Sequence, residues 1–295
     1  MESAAFLELS FDLGSLDAET AEVACFESGA TSVTFTDTRD DPVLEPAPGE
    51  FRLWPATRLQ ALYPGDTNAD DAARAVAAAL GIPLASITIE PIADRVWERE
   101  WLKDFHAMRF GKRLWVAPHH ETVAEPGAII VRLDPGLAFG TGTHPTTALC
   151  LQWLDRHITP GVRIIDYGCG SGILAVAAVK LGASHAYCFD IDPQALIATR
   201  DNAAANGVTE RVTVCDSAEQ LPEGADILVA NILSGPLCAL APSFARLVGS
   251  AGALVLAGLM EWQVPEVTQA HDAWFDMRPF AKRDDWVGLS GRRRF

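Results

Sequence analysis

The chain has 295 residues, 49% hydrophobic and 21% charged, and its 39 acidic side chains outnumber 23 Lys and Arg for a net charge of −16. Such a composition excludes disordered and fibrous proteins, and because phosphate backbones are held by Lys and Arg it argues against direct sequence-specific nucleic-acid binding and for a basic protein partner. Six scattered cysteines with no Cys-x-x-Cys pair argue against a zinc site and a disulfide framework, which leaves buried reduced thiols and no expected metal.

The opening Met1-Glu2-Ser3-Ala4-Ala5 lacks the basic start and apolar core of a secretory signal, so a cytoplasmic protein is expected. Phe6, Leu7, Leu9, Phe11 and Leu13 alternate as in a strand, and Asp17 is placed to cap a helix that stops at Gly29. Thr31–Thr38 is rich in β-branched residues, and Thr57–Tyr63 reads as a strand ending at Pro64-Gly65. Ala69–Leu80 then reads as a helix closed by Gly81, and Ile87–Ile92 as a last strand. The order βαββαβ is that of a ferredoxin-like α+β unit, with the proline-rich Asp40–Glu50 as a loop between its second and third strands. Residues 1–95 hold 5 Arg and no Lys against 17 acidic side chains, so this third carries most of the charge. It reads as an acidic recognition domain.

From Val96 to Phe110, Trp97, Trp101, Phe105 and Met108 recur at helical spacing, which predicts a helical linker over 96–110. Residues 111–295 form the third segment. Two strand-like runs, Arg113–Ala117 and Ala128–Leu133, precede a helix from Pro145. Strands Val162–Tyr167, Ala186–Asp190, Arg211–Cys215, Asp226–Asn231 and Ala253–Ala257 then alternate with helices. The charge-free run Ile227–Ala245 has the length of a membrane span, but Asn231, Ser234, Pro236 and Pro242 break it into strand, loop and helix. Short apolar strands alternating with helices predict an α/β, Rossmann-like fold with a mostly parallel seven-stranded sheet covered on both faces. Ligands bind such sheets beyond the carboxyl ends of the strands.

The chemistry gathers there. Asp166-Tyr167-Gly168-Cys169-Gly170-Ser171-Gly172 joins a strand to a helix, and its alternate glycines let backbone approach a ligand closely. Asp190 closes the next strand, where a carboxylate accepts both hydroxyls of a ribose. The third glycine follows the second by two positions, whereas a dinucleotide loop has three, which points away from NAD and toward an S-adenosylmethionine-type loop. Gly168, Gly170 and Asp190 are therefore cofactor candidates. Neither a P-loop nor a hydrolase elbow is present, and Cys169 reads as a packing residue.

Upstream, Asp134–Thr147 holds glycines, threonines and Phe139 before a Pro-initiated helix, the composition of a loop closing over a ligand that Phe139 would cover. His144 reads as a structural hydrogen-bond partner rather than a base. Asn231 ends the fourth strand with Ile232, Leu233 and Ser234 behind it. That stretch resembles the Asn/Asp-Pro-Pro-aromatic motif of methyltransferases acting on planar nitrogen, but lacks its prolines and aromatic residue. An aliphatic amine is the better substrate, and Asn231 the catalytic candidate as acceptor for its N–H. The alternative is methylation of nucleic acid or of a glutamine amide.

Trp54–Arg58, Trp97–Trp101, Phe110–Val116, Leu137–Thr147, Asp166–Gly172, Asn231–Leu233 and Gly288–Arg293 together resemble the ribosomal protein L11 methyltransferase family (PrmA type), and the likeness spans nearly the whole chain. The resemblance implies a class I methyltransferase domain that uses S-adenosylmethionine, joined by a linker to a small amino-terminal domain that grips the ribosomal protein. It implies methylation of lysine ε-amino and N-terminal α-amino groups. By matching positions it implies that Thr147, Gly168, Asp190 and Asn231 contact the cofactor. A soluble monomer acting on a basic large-subunit ribosomal protein is expected.

Overall fold

A computed structural model describes residues 6–39, 53–92, 105–133 and 142–294. Its internal contacts divide the chain into two units, Met1–Trp97 and Glu98–Phe295.

The first unit runs β1 (Phe6–Asp12), α1 (Ala18–Glu27), β2 (Ser32–Asp37), β3 (Thr57–Pro64), α2 (Ala69–Leu80) and β4 (Thr88–Ile92). The strands pair antiparallel in the order β2-β3-β1-β4, the ferredoxin-like arrangement. Local chemistry sets the helix ends. The Asp17 carboxylate accepts the Thr20 N–H at 2.9 Å, the Asn68 amide oxygen accepts that of Asp71 at 3.3 Å, and Gly81, at φ +66°, closes α2. Leu9, Phe11, Leu59, Ala61 and Tyr63 pack one face of the sheet against Ala21, Cys25 and Val76 of the helices. On the other face Arg58 bonds to Asp12 and Gln60 to Glu8. Residues 40–50, read as a loop, lie outside the described residues.

The second unit opens with a small sheet of β5 (Met108–Phe110), β6 (Leu114–Ala117) and β7 (Ile129–Arg132) in that order. This corrects the helical reading of 96–110 at its carboxyl end; residues 93–104 lie outside the described residues. The cause is a hairpin fixed from a distance. Gly111, at φ +82°, lets the chain turn so closely over Asp155 that a Cβ would sit 2.3 Å from its carboxylate. That carboxylate accepts the N–H groups of Lys112, Arg113 and Leu114 at 2.6, 3.2 and 3.2 Å. Three charge-assisted bonds outweigh the weak preference of a few aromatic residues for one helix face.

The main sheet comprises β8 (Arg163–Tyr167), β9 (His185–Phe189), β10 (Val212–Cys215), β11 (Ala225–Asn231), β12 (Val248–Met260), β13 (Phe275–Arg283) and β14 (Trp286–Arg293). Its order is β10-β9-β8-β11-β12-β14-β13. The first five strands run parallel, and β14 lies antiparallel to both neighbours. Around it stand α3 (Pro145–His157), α4 (Ile173–Leu181), α5 (Pro193–Ala205), α6 (Ser234–Ala239), α7 (Ala241–Leu247) and α8 (Val264–His271). Neighbouring residues feed opposite cores: Ile164, Ile227 and Val229 pack on one side, and Ile165, Leu228 and Ala230 on the other. Burial on both faces explains why these strands read as unbroken apolar runs. Among the described residues no helix is long and apolar enough to cross a membrane. Five cysteines are buried, Cys238 is half-buried, and all six are free thiols.

Candidate active site

The glycine-rich loop leaves β8 with Gly168, Gly170 and Gly172 at φ +77°, +52° and +74°, a region that L side chains rarely adopt. Two of them are also required by space. A Cβ on Gly168 would lie 2.3 Å from the Ile232 side chain, and one on Gly172 would lie 2.7 Å from Thr199. The neighbouring strand anchors the turn, since the N–H groups of Gly168 and Cys169 both donate to the Phe189 carbonyl, at 2.8 and 3.1 Å. Asp190, one residue on, accepts the Gly170 N–H at 2.9 Å on one carboxylate oxygen and the Asp192 N–H at 3.0 Å on the other. Each oxygen keeps capacity to accept a further bond, so the carboxylate can take two adjacent hydroxyl donors.

Beneath the loop Asp166 is fully buried. One of its oxygens accepts the Ala175 N–H at 3.0 Å, and the other has no partner. Burial pushes its carboxyl up to about 7, against the lowering effect of the Ala175 bond and with a smaller push from Asp190.

A cavity of about 770 Å³ opens beyond these strand ends, and Gly168, Asp190, Asn231, His144, Ile232 and Trp286 are among the residues that line it. No Lys or Arg is among its described lining residues. Its chemistry is apolar walls with a few polar groups, which fits a nucleoside with a sulfonium better than a pyrophosphate. Ile191 and Leu233 stand 90% and 55% exposed at its wall and add to its apolar lining.

Sequence-predicted residues meet here in two ways. Gly168, Asp190 and Asn231 line the cavity themselves. Thr147 is buried and receives a hydrogen bond from the Asn231 amide nitrogen at 3.2 Å, and Gly170 reaches the site through Asp190. Phe139 lies outside the described residues.

His144 does two things at once. It caps α3, its Nδ1 lying 3.3 Å from the Thr146 amide and 2.7 Å from the Thr146 hydroxyl, and it forms part of the cavity wall. Accepting the Thr146 N–H at Nδ1 places the ring proton on Nε2, and burial lowers the pKa, so the ring is neutral at pH 7. Trp286 meets it edge-on at 5.0 Å. Sequence reading missed Trp286 because it enters the site only through the antiparallel pairing of β14 with β12.

Comparison with known proteins places this geometry. The profile described as ribosomal protein L11 methyltransferase (PrmA) matches residues 5–294. The chain is 51% identical over 278 residues to the ribosomal protein L11 methyltransferase of Pseudomonas paraeruginosa (strain DSM 24068 / PA7), covering 94% of this chain and 95% of that one. It is 49% identical over 294 residues to that of Pectobacterium carotovorum subsp. carotovorum (strain PC1), covering 98% and 99%. Among solved structures it is similar to ribosomal protein L11 methylase from Lactobacillus delbrueckii subsp. bulgaricus, with a TM-score of 0.60 and 31% identity over 65% of this chain and all of that one.

Proposed function

The chain belongs to the ribosomal protein L11 methyltransferase family and is a methyltransferase of class I fold; from that premise we propose that it moves methyl groups from S-adenosylmethionine to lysine ε-amino and N-terminal α-amino groups of ribosomal protein L11. The observation that carries this reading is the convergence of Gly168, Asp190 and Asn231 on one cavity at the carboxyl ends of parallel strands. When bound, the cofactor supplies an electrophilic methyl group on a sulfonium. Asp190 accepts the ribose hydroxyls, Gly168 and Gly170 give the flat backbone on which the nucleoside rests, and Thr147 acts through Asn231. Phe139 is assigned to the same ligand from its place in the preceding loop. A ribosomal protein substrate supports work in the cytoplasm.

The attacking amine must be uncharged, whereas free lysine titrates near 10.4 and an α-amino group near 7.7 to 8.0. The protein therefore has to favour the neutral form. Ile232, Leu233 and Trp286 give the amine apolar surroundings that disfavour the ammonium. The Asn231 amide nitrogen is committed to Thr147, which leaves its carbonyl oxygen to accept an amine N–H and aim the lone pair. A neutral His144 adds no charge to repel or bind the substrate. No side chain is needed as a strong base, because water takes the proton before the amine docks.

Isoleucine and leucine after Asn231, together with the absence of Lys and Arg among the described lining residues, disfavour the alternative substrates, nucleic acid and a glutamine amide. Mass spectrometry of the ribosomal protein after incubation with enzyme and S-adenosylmethionine tests the reading. Methyl groups on lysine and the amino terminus are expected, and label appearing on glutamine or on RNA instead would overturn it.

A further inference from the structure

The turn that presents Asn231 is held by residues far along the chain. It runs from Asn231 through Ile232 and Leu233 into α6, and no side chain caps the start of that helix. Its support comes from the segment after β12. Gln263 is only 4% exposed, and both ends of its amide are used: the oxygen accepts the Met260 N–H at 2.8 Å, and the nitrogen donates to the Ser234 hydroxyl at 2.7 Å. A buried amide with both ends bonded fixes one orientation, and losing either partner strands a polar group. Ser234, itself 7% exposed, stands three residues past Asn231.

A second contact sets the height of the turn. Between Leu256 and Leu259 the pairing of β12 with β14 slips, and Gly258, at φ +87°, lies so close under the turn that a Cβ would come within 2.2 Å of the Ile232 carbonyl oxygen. The Ile232 side chain in turn rests over Gly168. The turn is thus gripped from below at Gly258, from the glycine-rich loop at Ile232 and from behind at Ser234, and α8, which begins at Val264, packs against α6.

We infer that Gln263 is a positioning residue for methyl transfer: through Ser234 it holds the Asn231 turn in the pose that aims the amide oxygen at the amine. The inference rests on the role of Asn231 given above. Gln263 does not line the cavity, so its effect falls on turnover and not on cofactor affinity.

Three full-length variants test this: Gln263→Leu, Ser234→Ala and the double variant. Turnover of the single variants should fall by about tenfold, since displacement of a reacting group by about 1 Å costs up to about 100-fold. The dissociation constant for S-adenosylmethionine, measured by calorimetry, should stay within about twofold. The two losses should not add, because both variants cut one link. Gln263→Glu, whose carboxylate accepts from both Met260 N–H and the Ser234 hydroxyl, should recover most of the rate. Should Gln263→Leu fail to fold, Ser234→Ala, which deletes a single oxygen, carries the test with the same readouts. Additive losses, a loss confined to cofactor affinity, or turnover of the folded single variants within about twofold of the parent would each overturn the inference. A parent enzyme that leaves ribosomal protein amines unmodified would instead overturn the assignment of substrate.

Discussion

The two units expose different parts of their sheets. In the amino-terminal unit β3 alternates, with Thr57, Leu59, Ala61 and Tyr63 buried and Arg58 exposed between them, so the sheet turns one polar face outward. In the catalytic unit Ile227 through Ala230 of β11 are all buried, and the strand opens only toward its ends, at Asp226 and Asn231. A sheet with an open face offers a broad, charged surface suited to a protein; a sheet covered on both sides offers only its strand ends, suited to a small ligand. On the open face Glu8 sits directly opposite Glu90 across β1 and β4, a like-charge pair that costs stability and that a basic partner would relieve.

The largest break in this comparison should come from the strand end. Replacing Asn231 with Ala removes the acceptor that aims the amine, and turnover should drop by about 100-fold, more than cofactor affinity falls. Asn231→Asp sharpens the test, because a negative charge stabilises the ammonium and raises its pKa. That variant should be slow at neutral pH and recover partly as pH rises. Single-turnover rates across pH check both, and an Asp variant as fast as the parent at pH 7 would remove Asn231 from the mechanism.

Next in size is Asp190→Ala. Losing a partly buried carboxylate that accepts hydroxyls should weaken S-adenosylmethionine binding by about 1 to 3 kcal/mol, roughly 5- to 150-fold in dissociation constant. Calorimetric titration of the folded variant decides it, and an unchanged constant would falsify the ribose assignment.

The face should respond more gently. Glu90→Lys turns a like-charge pair into an opposite-charge one, so the sheet should be slightly more stable, by about 0.2 to 1 kcal/mol. Its KM for intact ribosomal protein should nonetheless rise by about threefold at low salt and less at high salt, where charges are screened beyond about 8 to 10 Å. Folding and docking then move in opposite directions, which loss of structure could not imitate. An unchanged KM at low salt would mean that the partner binds elsewhere.

How far these features could be read from the sequence follows from how local their causes are. Asp17, Asn68 and Gly81 mark helix ends through bonds to residues within one turn, and the Gly168–Gly172 loop declares itself by spacing alone. The stretch from Met108 to Phe110 misleads, because the Gly111 hairpin depends on Asp155, more than forty residues away. Trp286 and Gln263 leave no signal either. The first arrives by antiparallel pairing of the last strand, and the second by a side-chain bond to Ser234, 29 residues away, that no local motif announces.

The smallest effect concerns two aspartates of opposite sign. Asp17 in the amino-terminal unit has its pKa lowered by the Thr20 N–H and hydroxyl, so its contribution to stability is present above the unfolded value near 3.9 and is lost as pH falls through the lowered folded value. Asp166 in the catalytic unit behaves in reverse. With its folded value raised to about 7 by burial, the proton is held more tightly in the folded state, so its contribution is present below about 4 and is lost as pH rises from there through about 7. Asp166→Asn keeps an acceptor for the Ala175 N–H without a charge to bury. It should flatten the pH dependence of the catalytic unit between 4 and 7 and raise its melting temperature at pH 8. Asp17→Ala should instead leave the acid side unchanged and lower stability at neutral pH. Calorimetric melting from about pH 2 to 8 reads both slopes. An Asp166→Asn variant with the parent's slope over that range would mean that the buried carboxylate stays ionised, held by the Ala175 N–H in place of a proton.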